Sequence, residues 1–284
     1  MLHCPAENLV FLHVPKNAGK SVRHALSRHA ALSWSFLASD LGVNEARAER
    51  AMDEEVEVHG LGIVKPAHLP LPIIAGHFPQ TWATIRSARS FILTRPPRDR
   101  FFSALMQRLG EFADMRSIRA DDFRVRQEAE HVCAWLDGRD DFADVEYIHF
   151  SRQVDYADHG GERIVSALFP LEHIGSAARW LAIETGLHLE FAHDHVRREP
   201  RKWSGALQPA ARMVGRRVLP LALKKAIYPL WRNSGIFADA AGRYDSIDLG
   251  PDVERFISDY YAADVRLHAE AVAFAERLEI RSVA

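Results

Sequence analysis

Residues Pro15-Lys16-Asn17-Ala18-Gly19-Lys20-Ser21 carry the parts from which a phosphate cradle can be built. A turn between a buried strand and a helix offers backbone N–H groups at the positive end of that helix, which holds an anion at little cost. Gly19 lets the backbone approach the anion, Lys16 and Lys20 supply charge, and Ser21 offers a hydroxyl. A plain strand-to-helix turn is the competing reading. Gly19-Lys20-Ser21 also matches the end of the pattern G-x-x-x-x-G-K-[ST], but Val14 stands where its first glycine belongs. Without that glycine the wide loop around the β-phosphate of ATP is hard to form, so a P-loop kinase ranks second.

A second set lies in Arg95-Pro96-Pro97-Arg98-Asp99-Arg100-Phe101-Phe102-Ser103. An arginine at the carboxyl edge of a strand and a serine two helical turns along can meet over one anion. Parallel α/β sheets bind ligands at that edge, so two such junctions suggest a nucleotide with phosphates at both ends. Taken alone, Arg95 and Ser103 would more often be a surface pair.

These strings carry a family resemblance. Phe11–Ser21, FLHVPKNAGKS, resembles the 5'-phosphosulfate loop of the carbohydrate sulfotransferases, and LTRPPRDRFFSAL resembles their 3'-phosphate motif in the same order and at a similar separation. Ala75-Gly76-His77-Phe78 is similar to the segment holding the catalytic histidine in the uronyl-type branch. His149–Tyr156, HFSRQVDY, followed by Glu172, resembles the family's middle region. The departures are Asn17 and Ala18 for Thr and Gly, Lys20 for Thr, Pro96 for Asp, and Leu105 for Tyr.

The resemblance implies a P-loop-like three-layer fold and an enzyme that sulfates a hydroxyl from 3'-phosphoadenosine-5'-phosphosulfate (PAPS). The acceptor it implies is a carbohydrate or glycolipid. Lys16 would steady charge on the leaving oxygen. Asn17, Ala18, Gly19, Lys20 and Ser21 would hold the 5'-phosphate, and Arg95 and Ser103 the 3'-phosphate. Such a transfer is in line and loose, so positioning and charge stabilisation are the protein's main tasks. An acceptor hydroxyl also needs a base, and a histidine of ordinary pKa near 6.5 suits that task. His77 is the candidate, although most of the 15 histidines must be structural. Glu172 reads as a helix cap, or as a partner for an arginine or a backbone amide.

The elements that must position these groups follow from pattern. Asn8–Val14, Ile73–His77, Ser90–Arg95 and Arg163–Phe169 are apolar runs that read as strands. Helices are expected over Asn44–Glu57, from Pro97 to about Gly110, over Arg116–Leu136 and Ser176–Leu187, and as a long terminal helix at about 252–279. Leu61–Pro72 reads as a connection. Strands alternating with helices imply a central parallel sheet covered on both faces, in a single domain spanning 1–284.

Composition narrows the classes. With 36 Lys+Arg against 38 Asp+Glu, a coat of nucleic acid is not expected. Two cysteines exclude a disulfide framework and a Cys-rich zinc site. His193-Asp194-His195 lacks a third ligand in sequence, and no metal is expected. No long apolar run or secretion signal is present, so a cytoplasmic protein is expected.

The charge balance is broken once. Residues 200–238 hold eight Lys and Arg and no Asp or Glu, which reads as a basic helical insertion. It is either a solvated hairpin or a surface that meets an anionic membrane at its inner face. Arg197–Lys202 could close over a ligand. A noncatalytic nucleotide-fold protein docking on membranes is therefore a third reading.

Overall fold

The computed structural model describes residues 1–113, 115, 118, 120–191 and 247–281, with the backbone of Arg198–Pro200 and Phe237–Asp239. The chain divides into two compact units, Met1–Ala192 with Asp248–Ala284, and His193–Ile247.

The first unit is mixed α/β. Its strands are β1 (Leu2–Cys4), β2 (Leu9–Phe11), β3 (Val56–Val58), β4 (Gly62–Val64), β5 (Arg89–Thr94), β6 (Asp158–His159), β7 (Glu162–Arg163) and β8 (Ala167–Pro170). The central sheet has the order β1-β2-β5-β8, while β3 pairs with β4 and β6 with β7 as separate hairpins. β2, β5 and β8 run parallel, with Phe11 opposite Phe91 and Phe91 opposite Ala167. The sheet is therefore mostly parallel and not wholly so, because β1 returns antiparallel onto β2. A turn at Asn8, with φ 47°, allows that reversal.

The helices of this unit are α1 (Gly19–His29), α2 (Ser35–Leu41), α3 (Glu45–Ala51), α4 (Leu71–His77), α5 (Pro79–Ser87), α6 (Pro97–Glu111), α7 (Phe123–Leu136), α8 (Ile174–Thr185), α9 (Pro251–Tyr260) and α10 (Ala262–Arg281). They flank the sheet, and its strands are accordingly apolar on both faces: Phe91, Ile92 and Leu93 are all fully buried. Phe91 and Phe169 both pack on Trp180 of α8, with ring centroids 5.9 and 5.8 Å apart, and Phe169 also meets Phe274 of α10 at 5.4 Å.

Several expected elements change. Residues 73–77 are helical and not a strand, since Leu71, Ile74 and Phe78 are the buried positions and that spacing follows a helix face. Pro70 and Pro72 open this helix where a missing N–H costs nothing. The helix expected over 44–57 ends at Ala51, and Val56–Val58 joins a hairpin with part of the expected connection. The α7 helix starts at Phe123 because the Asp122 carboxylate accepts from the Arg124 amide and caps it. The strand expected from Arg163 begins at Ala167.

The terminal helix breaks at Tyr261. That side chain is fully buried, its hydroxyl donates to the Phe150 carbonyl at 2.6 Å, and the Arg100 guanidinium lies 5.4 Å over its ring. Tertiary contacts at one residue thus outweigh the helical periodicity running through it.

In the second unit Arg198–Pro200 (β9) pairs antiparallel with Phe237–Asp239 (β10). At the ends of the stretch 200–238, expected to be helical, Pro200 and Phe237–Ala238 are therefore strand residues, while 201–236 and His193-Asp194-His195 lie outside the described residues.

Candidate functional site

The first junction is built as strand, turn, helix. After β2 the chain passes through Val14 and Pro15, and Lys16 and Ala18 both take left-handed backbone angles, with φ 71° and 56°. Side chains disfavour that region by about 1–2 kcal/mol per residue, so neighbouring structure holds the turn in place. Left-handed residues flanking Asn17 turn successive N–H groups toward a common side, a geometry suited to anions. Ala18 caps α1 without a side-chain hydrogen bond, and no acidic residue occupies the helix's first turn. The helix therefore presents its positive end with orphan amides at Gly19 and Lys20.

Gly19 is buried against a side chain and not merely accommodating a turn. A Cβ built there would lie 2.0 Å from Cδ2 and Nε2 of His13. The His13 ring is stacked near Phe11 and meets His68 edge-on at 5.0 Å, and His68 meets His149 at 4.9 Å. Burial, foremost, holds all three imidazoles below their ordinary pKa, His149 to about 3. Lys16 and Lys20 add to this at His13, Lys65 at His68, and Lys16, Lys65 and Arg100 at His149. The imidazoles are neutral near pH 7 and lie in a field of cations, which is favourable ground for an anion.

The second junction follows β5. The expected strand end at Arg95 falls one residue earlier, at Thr94, so that Arg95 is the first residue past β5, and Pro97 opens α6. The Arg95 guanidinium lies 3.9 Å from Asp99 in the first turn of that helix. Lys16 Nζ, on the first junction, donates to Gln107 Oε1 at 2.6 Å. Asp99, Ser103 and Gln107 recur every fourth residue and so share one stripe of α6. Ser103, half-buried, thus lies between the residue that meets Arg95 and the residue that meets Lys16.

Both junctions lie at the carboxyl ends of neighbouring parallel strands and are tied together by a residue far along the chain. Gln153 is fully buried; its Oε1 accepts from Asn17 Nδ2 at 2.7 Å and from the Arg95 amide at 2.9 Å, and its Nε2 donates to the Arg95 carbonyl at 2.8 Å. Asn17 Nδ2 also donates to the Leu93 carbonyl at 2.7 Å. Asn17 is consequently 1% exposed, and its buried amide braces the turn from inside. Lys20 is exposed and Ser21 half-buried on the first turn of α1.

His77 is not brought to this cluster by any described hydrogen bond or ring contact. It is an exposed residue at the carboxyl end of α4 and not at a strand end, and its Cε1 lies 3.9 Å from where a Cβ on Gly60 would stand. Glu172 pairs with His268 Nε2 at 3.0 Å, and His268 Nδ1 meets Thr94 Oγ1 at 2.9 Å. That line has the look of a nucleophile, base and acid, but Thr94 is fully buried and the line ties α10 to the end of β5.

Gln153, Gln107 and the three facing histidines carry no local signal that would single them out in the sequence. His13, His149 and Gln153 sit inside strings singled out for other reasons, yet nothing in one string says that it faces another. Asp264 is a further case: its carboxylate accepts from the amides of Gln153 and Val154 at 2.8 and 2.9 Å, with Arg100 at 3.8 Å. Burial pushes that carboxyl up, against the pull of Arg100 and the two amides. Among the described residues no group of three or more His, Cys, Asp or Glu is placed to hold a metal ion, and no helix is long and apolar enough to cross a membrane.

Comparison of the chain with protein-family models, curated proteins and solved structures finds no match in any of the three.

Proposed function

We propose that this chain is a P-loop-like sulfotransferase that moves the sulfuryl group of PAPS to a hydroxyl of a carbohydrate or glycolipid. The observation that carries the reading is the adjacency of the two junctions, with Lys16 on the first reaching α6 of the second through Gln107. One cradle suits a 5'-phosphosulfate, and the Arg95–Ser103 side suits a 3'-phosphate.

In this reading the acceptor oxygen attacks sulfur while the bond from sulfur to the 5'-phosphate oxygen breaks, and adenosine 3',5'-bisphosphate leaves. Charge grows on the leaving oxygen, where the Lys16 ammonium and the amides of Ala18, Gly19 and Lys20 would meet it. The acceptor's proton passes to His77, whose exposure leaves its ring open to an acceptor arriving from solvent. Lysine and amides suffice for a sulfuryl group's charge, so no metal is called on. The basic stretch 200–238 is proposed to meet an anionic membrane surface.

Calorimetric titration tests the donor. Adenosine 3',5'-bisphosphate should bind more than about tenfold tighter than ATP with Mg²⁺, because a charged 3'-phosphate contact is worth roughly 1.5–3 kcal/mol. Preference for ATP with Mg²⁺ would instead identify a kinase and end the proposal.

A further inference from the structure

We infer that Gln153 is a positioning residue that couples the two phosphate-binding junctions and sets the protein's selectivity for the 3'-phosphate. The inference rests on the donor reading for what is bound, and on hydrogen-bond geometry for the coupling.

The orientation of the Gln153 amide has no freedom. The Arg95 N–H can only donate, so the group facing it must be Oε1. Asn17 must then turn Nδ2 toward the same oxygen, and its second hydrogen reaches the Leu93 carbonyl, which can only accept. Nε2 is left for the Arg95 carbonyl. Reversing Gln153 would set donors against donors at two places, where the Gln153 and Asn17 side chains are both buried.

The anchor of Gln153 is equally determined. Asp264 grips the backbone amides of Gln153 and Val154, and both Asp264 and Arg100 are almost wholly buried. The network passes from the last helix to Gln153 and from there to both junctions.

The two sides depend on it unequally. Arg95 has both backbone polar groups bonded to the Gln153 amide, whereas Asn17 keeps the Leu93 carbonyl when that amide is removed. Loss of the amide should free the Arg95 side far more than the Lys16–Gly19 turn. General loosening of the fold would affect both alike, so the asymmetry distinguishes positioning from mere support.

The experiment compares wild type with Gln153→Met, which keeps volume but cannot bond, and Gln153→Glu, which keeps the acceptor oxygens but loses the donor to Arg95. Affinities are measured for adenosine 3',5'-bisphosphate and for adenosine 5'-monophosphate, with amide hydrogen exchange at Asn17 and Arg95. In Gln153→Met, bisphosphate affinity should fall roughly tenfold, the scale of one or two neutral hydrogen bonds, while the monophosphate stays within about twofold. Gln153→Glu sets a buried acceptor against the Arg95 carbonyl and should lose at least as much bisphosphate affinity as Gln153→Met. Equal losses for both nucleotides, or no loss for either, would overturn the coupling.

If wild type shows no preference for the bisphosphate, the donor reading fails and exchange alone decides the coupling. Faster exchange at Arg95 than at Asn17 in Gln153→Met then supports it, and equal change or none overturns it. If Gln153→Met does not fold, Gln153→Glu is held to the same criteria.

Discussion

Gly19 and His13 occupy space that admits only one side chain: a Cβ on Gly19 would fall 2.0 Å from the imidazole. The glycine that opens α1 is therefore required by His13, two residues past β2, as well as by any anion. His68 meets the same ring edge-on at 5.0 Å, so any shift of His13 must also be accommodated there.

Gly19→Ala should cost about 1–3 kcal/mol of stability, the usual range for overpacking. Adding His13→Ala should return much of that loss, making the pair less destabilising than the sum of the single changes. Denaturant melts of the four proteins in this cycle measure it; strict additivity would show that the ring moves aside freely.

Ala18 bears a left-handed angle that glycine takes without penalty. Ala18→Gly should stabilise the protein by about 1 kcal/mol, visible as a rise of roughly 2–4 °C in the melting midpoint. Bisphosphate affinity should not fall. An unchanged or lower midpoint would mean that the turn is not held in this conformation in solution.

Lys16→Ala should reduce sulfuryl transfer by roughly 10²–10³, the scale of one lost charge-stabilising donor, with a much smaller effect on donor affinity. Initial rates against donor concentration separate the two effects. Equal loss in both, or none, would remove Lys16 from the leaving-group role.

His77→Ala should lower transfer by roughly 10²–10⁴, as loss of a general base does, while bisphosphate affinity stays unchanged. An active variant would dismiss His77 and send the search for the base elsewhere, away from the buried imidazoles of His68 and His149.

Asp155 supplies a pH signature. Burial, opposed by Arg152 at 3.0 and 3.1 Å, raises its carboxyl from the usual 3.8 to about 6. Between those values the folded state binds more protons than the unfolded one, so its contribution to stability is full below pH 4 and lost as pH rises through 6. Asp155→Asn should flatten that part of the stability profile, measured by denaturant melts from pH 4 to 7. An identical slope in the variant would contradict the assignment.

The two junctions were legible because their causes are local. A short β-branched and aromatic run followed by a polar turn makes β2 and α1, and Pro97 after Ser90–Thr94 starts α6 where proline belongs. The run Ile73–His77 misled because β-branched residues suit a strand, while the choice between strand and helix fell to which residues met the core. Tyr261 was equally hidden, since its partner Phe150 lies 111 residues away.

By itself the sequence determined where chain direction changes, which residue types stand at those turns, and that charge is balanced except over 200–238. Only the tertiary structure decided that Asn17, Arg95 and Gln153 share one amide, that three imidazoles face each other beneath Lys16, and that Asp264 fixes Gln153. Those contacts join residues 55 to 136 positions apart, from His13–His68 to Asn17–Gln153. Local preference acts over a few residues, whereas such pairings arise when burial brings distant polar groups together and they must satisfy one another.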